Sequence, residues 1–272
     1  MGIYDGIYLY CDIDGTLLSD LKEIPEINIH AVKKFTREGG MFGLATGRSP
    51  HNLSNFPELL PLNAPSILDN GGILYDVKTR TFKECTYIPR ERSIELVNRI
   101  LEICPTASLQ LYTKEAIYQG NTSPNRWVDP LTIKENVPEI PCRAEDVPGE
   151  WIKIVLCVPE KKLDMILEQL DLEDMAKYYA LTRSGKIYYE IFCLGMNKGY
   201  GIASLRKKIP DIKKILAIGD YYNDLEMLAE VDVAGAPSSA VDEIKAIADH
   251  ITCDNNQGAV ADFLRIALGM EI

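Results

Sequence analysis

The stretch Ile7-Tyr8-Leu9-Tyr10-Cys11-Asp12-Ile13-Asp14-Gly15-Thr16-Leu17 opens on an unbroken apolar run and breaks abruptly into two carboxylates and a glycine. A short apolar run without polar alternation is the pattern of a strand buried on both faces, as in a parallel sheet flanked by helices. In such sheets ligands bind outside the carboxyl ends of the strands. Asp12 and Asp14 therefore stand where chemistry is expected, and Gly15 permits a sharp exit from the strand.

The same rhythm continues outward. A helical segment from about Glu26 closes at Gly39-Gly40, and Met41 to Ala45 forms a second apolar run before Thr46-Gly47-Arg48. Ser49-Pro50 suits the N-cap and first turn of a short helix. Ser66-Ile67-Leu68 runs into Asn70-Gly71-Gly72, a strand ending in a turn. Near the C-terminus, Ile215 to Ile218 precedes Gly219-Asp220, a helix is expected from about Asn223, Val231 to Ala234 is strand-like, and a helix follows from about Ser239. Alternating strands and helices predict an α/β fold, a mainly parallel, Rossmann-like sheet covered on both faces.

Between Glu84 and Phe192 the order changes. A helix over Arg90 to Ile103 is followed by strand-like Ser108 to Tyr112 and Ala116 to Gln119, and then by a stretch holding Pro124, Pro130, Pro138, Pro141 and Pro148. Trp151 to Val158, a helix, and strands around Tyr178–Leu181 and Ile187–Phe192 complete it. Neighbouring strands with hairpin-like links imply an antiparallel α+β sheet. The expected organisation is a first core part over 1–84, an inserted domain over 85–192, and a second core part over 193–272.

The 272 residues carry 29 Lys+Arg against 40 Asp+Glu, a formal net charge of −11. That balance argues against a nucleic-acid binder, which needs a basic footprint. No apolar stretch approaches the roughly 18 residues of a membrane helix, and Met1 to Asp20 lacks the pattern of a signal peptide. Gly6 stands where N-myristoylation needs Ser or Thr. A cytoplasmic protein with no membrane partner is expected. The 7 cysteines are odd in number, scattered and without a C-x-x-C pair, which reads as reduced core thiols rather than a disulfide frame or zinc site.

Four strand-end loops form a chemical set. In the first, side chains two apart on extended chain point the same way, which sets Asp12 beside Asp14. Two such carboxylates resist joint ionisation unless a cation lies between them, and Mg²⁺ prefers hard oxygen ligands. One carboxylate can then attack phosphorus while the other moves protons; Thr16 is free to hydrogen-bond local backbone. A plain turn is the bland alternative, and a calcium loop fails because Leu17-Leu18 follow where acidic ligands are needed. In the second, Thr46 and the Gly47 amide can bind phosphate at a helix entrance, although for this segment by itself a small N-cap turn is the commoner reading and its partners supply the specificity. In the third, Gly195-Met196-Asn197-Lys198-Gly199 places Lys198 at a helix start as a compact charge for phosphate and for a carboxylate. Gly185-Lys186-Ile187 lacks the Ser or Thr of a P-loop. In the fourth, Asp220 and Asp224 can complete an oxygen shell, with Asn223 as a neutral hydrogen-bonder or as an N-cap with Glu226 three positions on.

The ordered set Asp-x-Asp-Gly-Thr, Thr-Gly-Arg, Lys-Gly and Gly-Asp-x-x-Asn-Asp resembles the haloacid dehalogenase (HAD) superfamily over essentially the whole chain, closest to the Cof-type phosphatases with a type IIB cap. The resemblance implies that Asp12 is a nucleophile forming an aspartyl-phosphate and Asp14 the acid and base. It implies phosphate held by Thr46, Gly47, Lys198 and Asn223, and Mg²⁺ held by the Asp12 carboxylate, the Asp14 carbonyl and Asp220, with Asp224 in support. Arg48, Asn70 and Gly71 would border the substrate pocket, and the inserted region would be the cap that closes over it and selects the leaving group. Two departures stand out: Tyr221 and Tyr222 are bulky where relatives often have a smaller residue first, and Gly235-Ala236-Pro237-Ser238 replaces a common Met-Gly-Asn-Ala turn.

The activity so implied is Mg²⁺-dependent hydrolysis of a phosphomonoester of a small metabolite, a sugar phosphate first, by a monomer or homodimer. A phosphotransferase or phosphomutase of the same superfamily is the enzymatic alternative. A non-catalytic metabolite-binding regulator is the other, though binding needs no nucleophile beside a proton donor. His30, His51 and His250 form no H-E-x-x-H site and take structural or surface roles.

Overall fold

Strand β1 (Ile7–Cys11) lies between two parallel neighbours in a computed structural model of the chain, which describes residues 2–53, 56–128, 138–183 and 186–272. Pro130 and Gly185 lie outside the described residues. The chain divides into two compact units, Met1–Glu84 with Asn197–Ile272, and Cys85–Met196. The second crossing falls after Met196 rather than at 192/193, because the last strand of the second unit runs to Cys193 and a turn follows it.

In the first unit, β2 is Met41–Leu44, β3 Ser66–Leu68, β4 Ile73–Asp76 and β5 Thr81–Cys85, the last ending at the crossing. In the second unit, β6 is Ser108–Tyr112, β7 Ile117–Gln119, β8 Glu139–Pro141, β9 Lys153–Cys157, β10 Tyr179–Thr182 and β11 Tyr188–Cys193. The first unit resumes with β12 (Lys214–Ile218), β13 (Val233–Pro237) and β14 (His250–Thr252). Its main sheet has the order β14-β13-β12-β1-β2 with every pair parallel, and β3-β4-β5 forms a smaller sheet.

Helix α1 (Glu26–Arg37) buries Asn28, Ala31, Val32 and Phe35, the i, i+3, i+4, i+7 stripe of a helix packed by one face. It packs with the C-terminal helix, while Tyr8, Tyr10, Ile215 and Ala217 face Ile202, Met227 and Ile244 from the opposite helical layer. Burial on both faces explains the unbroken apolar run of β1: each fully buried large side chain contributes about 1.5–3 kcal/mol. The strand ends are level, with Cys11 opposite both Ile218 and Leu44. The loops that follow therefore leave the sheet side by side.

In the second unit, α2 (Arg90–Ile103) and α3 (Glu160–Gln169) pack on a six-stranded sheet of order β10-β11-β9-β6-β7-β8, antiparallel except for β7 with β8. Leu109, Leu111, Ile154, Leu156 and Ile191 supply its core with Trp151. The opposite face of these strands mixes Val155 and Phe192 with polar Ser108, Gln110, Lys153 and Glu190, and Lys153 and Glu190 form a largely buried ion pair at 3.1 Å.

Three local expectations are corrected. Ser49 and Pro50 do take the N-cap and first position of a short helical segment, but that segment is 3-10, Pro50–Asn52, and the buried Ser49 hydroxyl makes no capping bond and has no partner among the described residues. The segment at Asn223 is likewise 3-10 over Tyr222–Asp224, and the following α-helix starts at Leu225. The helix expected from Ser239 begins at Asp242.

Candidate active site

Asp12 follows β1 directly, with its amide donating to the Ile218 carbonyl at 3.0 Å. The chain does not continue extended from there: Leu17 N–H donates to the Asp12 carbonyl and Leu18 N–H to that of Ile13, which closes a tight turn around Gly15. Asp12 and Asp14 are consequently not a same-face pair on a strand, and each has its own partners. Asp12 is buried, whereas the Asp14 side chain is 44% exposed.

Lys198 is the first residue of α4 (Lys198–Lys208), whose N-cap Asn197 accepts from the Tyr200 amide at 2.8 Å. Fully buried, its ammonium donates to Asp12 Oδ1 and to Asp224 Oδ1, each at 2.6 Å. Burial disfavours the charge, but the two carboxylates outweigh it and raise the ammonium pKa, so Lys198 is a fixed cation. Burial pushes the Asp12 carboxyl up to about 7 against the pull of Lys198, and Asp224 and Asp220 add to the rise. Burial likewise takes Asp220 up to about 6, opposed by the Thr16 hydrogen bond and helped by Asp224.

Asp224 spends both its oxygens inside the protein. Oδ1 meets Lys198, and Oδ2 accepts the amides of Asp220 at 3.0 Å and Tyr221 at 3.2 Å. It therefore closes the turn that Asn223 was expected to cap and orients Asp220. Thr16 does not bond local backbone; its hydroxyl donates to Asp220 Oδ1 at 2.7 Å across 204 positions. Gly15 has φ +91°, and a Cβ on it would stand 2.4 Å from Asp220 Oδ2, so only glycine lets the first and fourth loops approach. Asp12, Asp220 and Asp224 offer oxygens within 4.8 Å of one another. With Lys198 as the counter-ion, three ionised carboxylates leave two negative charges uncompensated, which suits a divalent cation bound to oxygen.

Asp14 lies among cations. Arg48 clasps it with Nε to Oδ2 and Nη2 to Oδ1, both 3.1 Å, and Lys22 Nζ lies 3.0 Å from Oδ1. Burial raises this carboxyl, but Arg48 and Lys22 prevail and hold it below the usual carboxylate range. Arg48 also lies over the Phe56 ring at 5.6 Å. Neither Lys22 nor Phe56 carries a sequence signal for this place; the loop and turn that bring them there are tertiary.

Thr46 is buried, and its hydroxyl oxygen accepts from the Arg48 amide at 3.2 Å. The Gly47 Cα hydrogen faces Asn70, whose Oδ1 accepts from Asn223 Nδ2 at 3.2 Å. Gly71, at φ +97°, presses on the Asn197 carbonyl so closely that a Cβ would sit 1.9 Å from that oxygen. Its place is thus at the base of α4, behind Lys198. Cys11 is fully buried and its thiol donates to the Asp12 carbonyl at 2.9 Å; burial, then Asp12, raises its pKa well above the ordinary thiol value. None of the seven cysteines, all among the described residues, is in a disulfide, and only Cys11, Cys104 and Cys157 are buried, so the expected core placement is corrected for the other four.

The structure brings Asp12, Lys198, Asp220 and Asp224 into one bonded cluster, places Thr46, Asn70 and Asn223 in a linked polar row, and sets Asp14 with Arg48 at the exposed side. A family model described as haloacid dehalogenase-like hydrolase matches residues 9–264. The chain belongs to the haloacid dehalogenase-like hydrolases. A Streptococcus pyogenes serotype M6 protein is 30% identical over 261 residues, covering 93% of this chain and 95% of that one. The Bacillus subtilis 5-amino-6-(5-phospho-D-ribitylamino)uracil phosphatase YitU is 27% identical over 275 residues, covering 93% and 94%. A crystal structure of a haloacid dehalogenase-like hydrolase from Bacteroides thetaiotaomicron shares the fold at TM-score 0.84 and 21% identity, over 97% of this chain and all 100% of that one. This HAD-like hydrolase is an enzyme of the phosphatase kind, with a Rossmann-like parallel core and an additional α+β unit. Among the described residues no helix is long and apolar enough to cross a membrane.

Proposed function

We propose that this HAD-like hydrolase releases phosphate from a small phosphorylated metabolite, of the sugar phosphate class, through an aspartyl-phosphate on Asp12 with Mg²⁺ as cofactor. The observation that carries the reading is the Lys198 ammonium bonded at 2.6 Å to both Asp12 and Asp224, beside Asp220. A fixed cation keeps a buried carboxylate ionised and aimed, which is what a carboxylate nucleophile requires. The substrate class is supported by YitU, whose named substrate carries its phosphate on a ribityl chain. The unit Cys85–Met196 is read as the family's inserted cap domain, from its place in the chain and its own sheet.

Asp12 would attack phosphorus, and the ester P–O bond would break as the leaving oxygen takes a proton from Asp14. Water, deprotonated by Asp14, would then attack the phosphoryl group, break the Asp12–phosphorus bond and free phosphate. Thr46, the Gly47 amide, Lys198 and Asn223 would hold the phosphoryl oxygens, and Arg48, Asn70 and Gly71 would border or support the pocket. The Asp12 and Asp220 carboxylates with the Asp14 carbonyl would hold Mg²⁺, which supplies charge neutralisation at phosphorus when bound. Asp14 as clasped is a poor acid, since Arg48 and Lys22 favour its anion. A bound phosphate dianion competes for those cations, and their withdrawal would raise the Asp14 pKa toward the value an acid needs.

The test is phosphate release from a panel of sugar, polyol and nucleotide phosphates, in Mg²⁺ and in chelator, with Asp12→Asn and Asp14→Asn alongside. Metal-dependent release lost in Asp12→Asn and slowed roughly 10²–10⁴-fold in Asp14→Asn is expected. Near-normal release by folded Asp12→Asn would overturn the mechanism.

A further inference from the structure

The loop that carries Asp220, Asn223 and Asp224 also carries two exposed aromatic rings that the phosphoryl chemistry does not use. Tyr221 is 55% exposed and Tyr222 46%, and the rings meet edge-on with centroids 4.9 Å apart and planes at 68°. The pair is preorganised. The Tyr221 amide is pinned by Asp224 Oδ2 at 3.2 Å, and the Tyr222 hydroxyl donates to Glu243 Oε1 at 3.3 Å on α6 (Asp242–Ile247), counting α5 as Leu225–Glu230. The Val241 amide, one residue before α6, donates to the Asp220 carbonyl at 3.1 Å. The segment at 221–222 and the turn after β13 are thus tied together at the carboxyl end of the sheet, and these are the two places where the sequence departs from the family pattern.

Aromatic rings carry a large apolar area that folding ordinarily buries, so two rings left in solvent and braced in position form a prepared apolar surface. Tyr221 begins one residue, about 3.8 Å of chain, from Asp220. We propose that Tyr221, braced by Tyr222, is a specificity-determining residue against which a planar or ring-shaped part of the leaving group stacks. The inference rests on the phosphatase reading and narrows it to phosphomonoesters that present a flat, weakly polar face next to the phosphate-bearing carbon.

The experiment compares benzyl phosphate with propyl phosphate, two primary alkyl esters that differ by the ring. For wild type, Tyr221→Ala, Tyr222→Ala and Tyr221→Phe, the ratio of the two kcat/KM values is measured in Mg²⁺. Tyr221→Ala is expected to cut the ratio about tenfold, chiefly through KM, with Tyr222→Ala partway and Tyr221→Phe close to wild type, as stacking needs the ring and not the hydroxyl. An unchanged ratio in Tyr221→Ala overturns the proposal. Equilibrium binding of the two esters to Asp12→Asn, with and without Tyr221→Ala, repeats the comparison without turnover. If wild type hydrolyses neither ester, this binding arm decides the ring preference, and the phosphatase reading is decided separately by the panel of sugar, polyol and nucleotide phosphates. A change of sedimentation mass in Tyr221→Ala with an unchanged binding ratio would assign the rings to a second copy of the chain and overturn the proposal.

Discussion

Replacing Lys198 by Met removes the one ammonium that two buried carboxylates share at 2.6 Å each. Breaking a buried ion pair from one side costs about 3–5 kcal/mol, and here one cation serves two anions, which places the cost at the upper end. For a unit of this size about 1 kcal/mol moves Tm by roughly 2–4 °C, so a loss of roughly 10–20 °C is expected. The loss carries a pH signature. Asp12, at about 7 in the folded protein, binds a proton more tightly there than in the unfolded chain, so its contribution favours folding at low pH and fades as pH rises through about 7. Lys198 opposes that rise; without it the Asp12 carboxyl holds its proton to still higher pH. The deficit of Lys198→Met should therefore be largest at pH 8 and smaller at pH 5.5, where Asp12 carries its proton and less charge is stranded. Thermal and urea unfolding in chelator at the two pH values measures it, with Lys198→Met/Asp224→Asn expected to regain part of the loss. Equal deficits at both pH values, or less than about 1 kcal/mol at pH 8, would refute the assignment of Lys198 as the buried counter-ion.

Two further outcomes follow from the same geometry. Stabilisation by Mg²⁺ should grow from pH 5.5 to pH 8, because metal and protons compete for Asp12 and Asp220, whose carboxyls sit at about 7 and about 6 without it; Tm against Mg²⁺ concentration at the two pH values checks this, and equal stabilisation would count against both ligands. Gly71→Ala should lose about 2–4 kcal/mol and much of kcat, as its Cβ would meet the Asn197 carbonyl beneath Lys198, whereas Gly269→Ala, with φ +66° and nothing within 4 Å, should lose only about 1–2 kcal/mol of left-handed strain.

The parallel core and the loops that bear the site were legible because the signals are local. An unbroken apolar run ending in Asp12, and another ending at Gly219-Asp220, each state strand, burial and strand end within a few residues, and a polar side chain at such an end has few structural uses. The helix over Arg90–Ile103 has the bounds its periodicity predicts. The failures at Asn223 and Thr16 share a cause: each residue type commonly bonds its own backbone, and here a closer competitor, Asp224, or a partner distant in sequence, Asp220, prevails. Asp224 outbids Asn223 because its carboxylate accepts two amides and an ammonium together.

Which residue types could do the chemistry follows from the chain order alone, since a carboxylate, a lysine and a glycine have the same donors and acceptors wherever they lie. Their ionisation does not. Asp12 and Asp14 are two positions apart with identical side chains, yet one is raised by burial and the other lowered by Arg48 and Lys22. That divergence exists only once folding removes water from Asp12 and brings to each carboxylate a cation from a different part of the chain, for pKa is a property of surroundings and not of sequence neighbours. The same holds for Tyr221 and Tyr222, whose bulk is visible in the sequence but which become a braced aromatic surface only because the fold turns them outward beside Asp220 and sets Glu243 within reach of a hydroxyl.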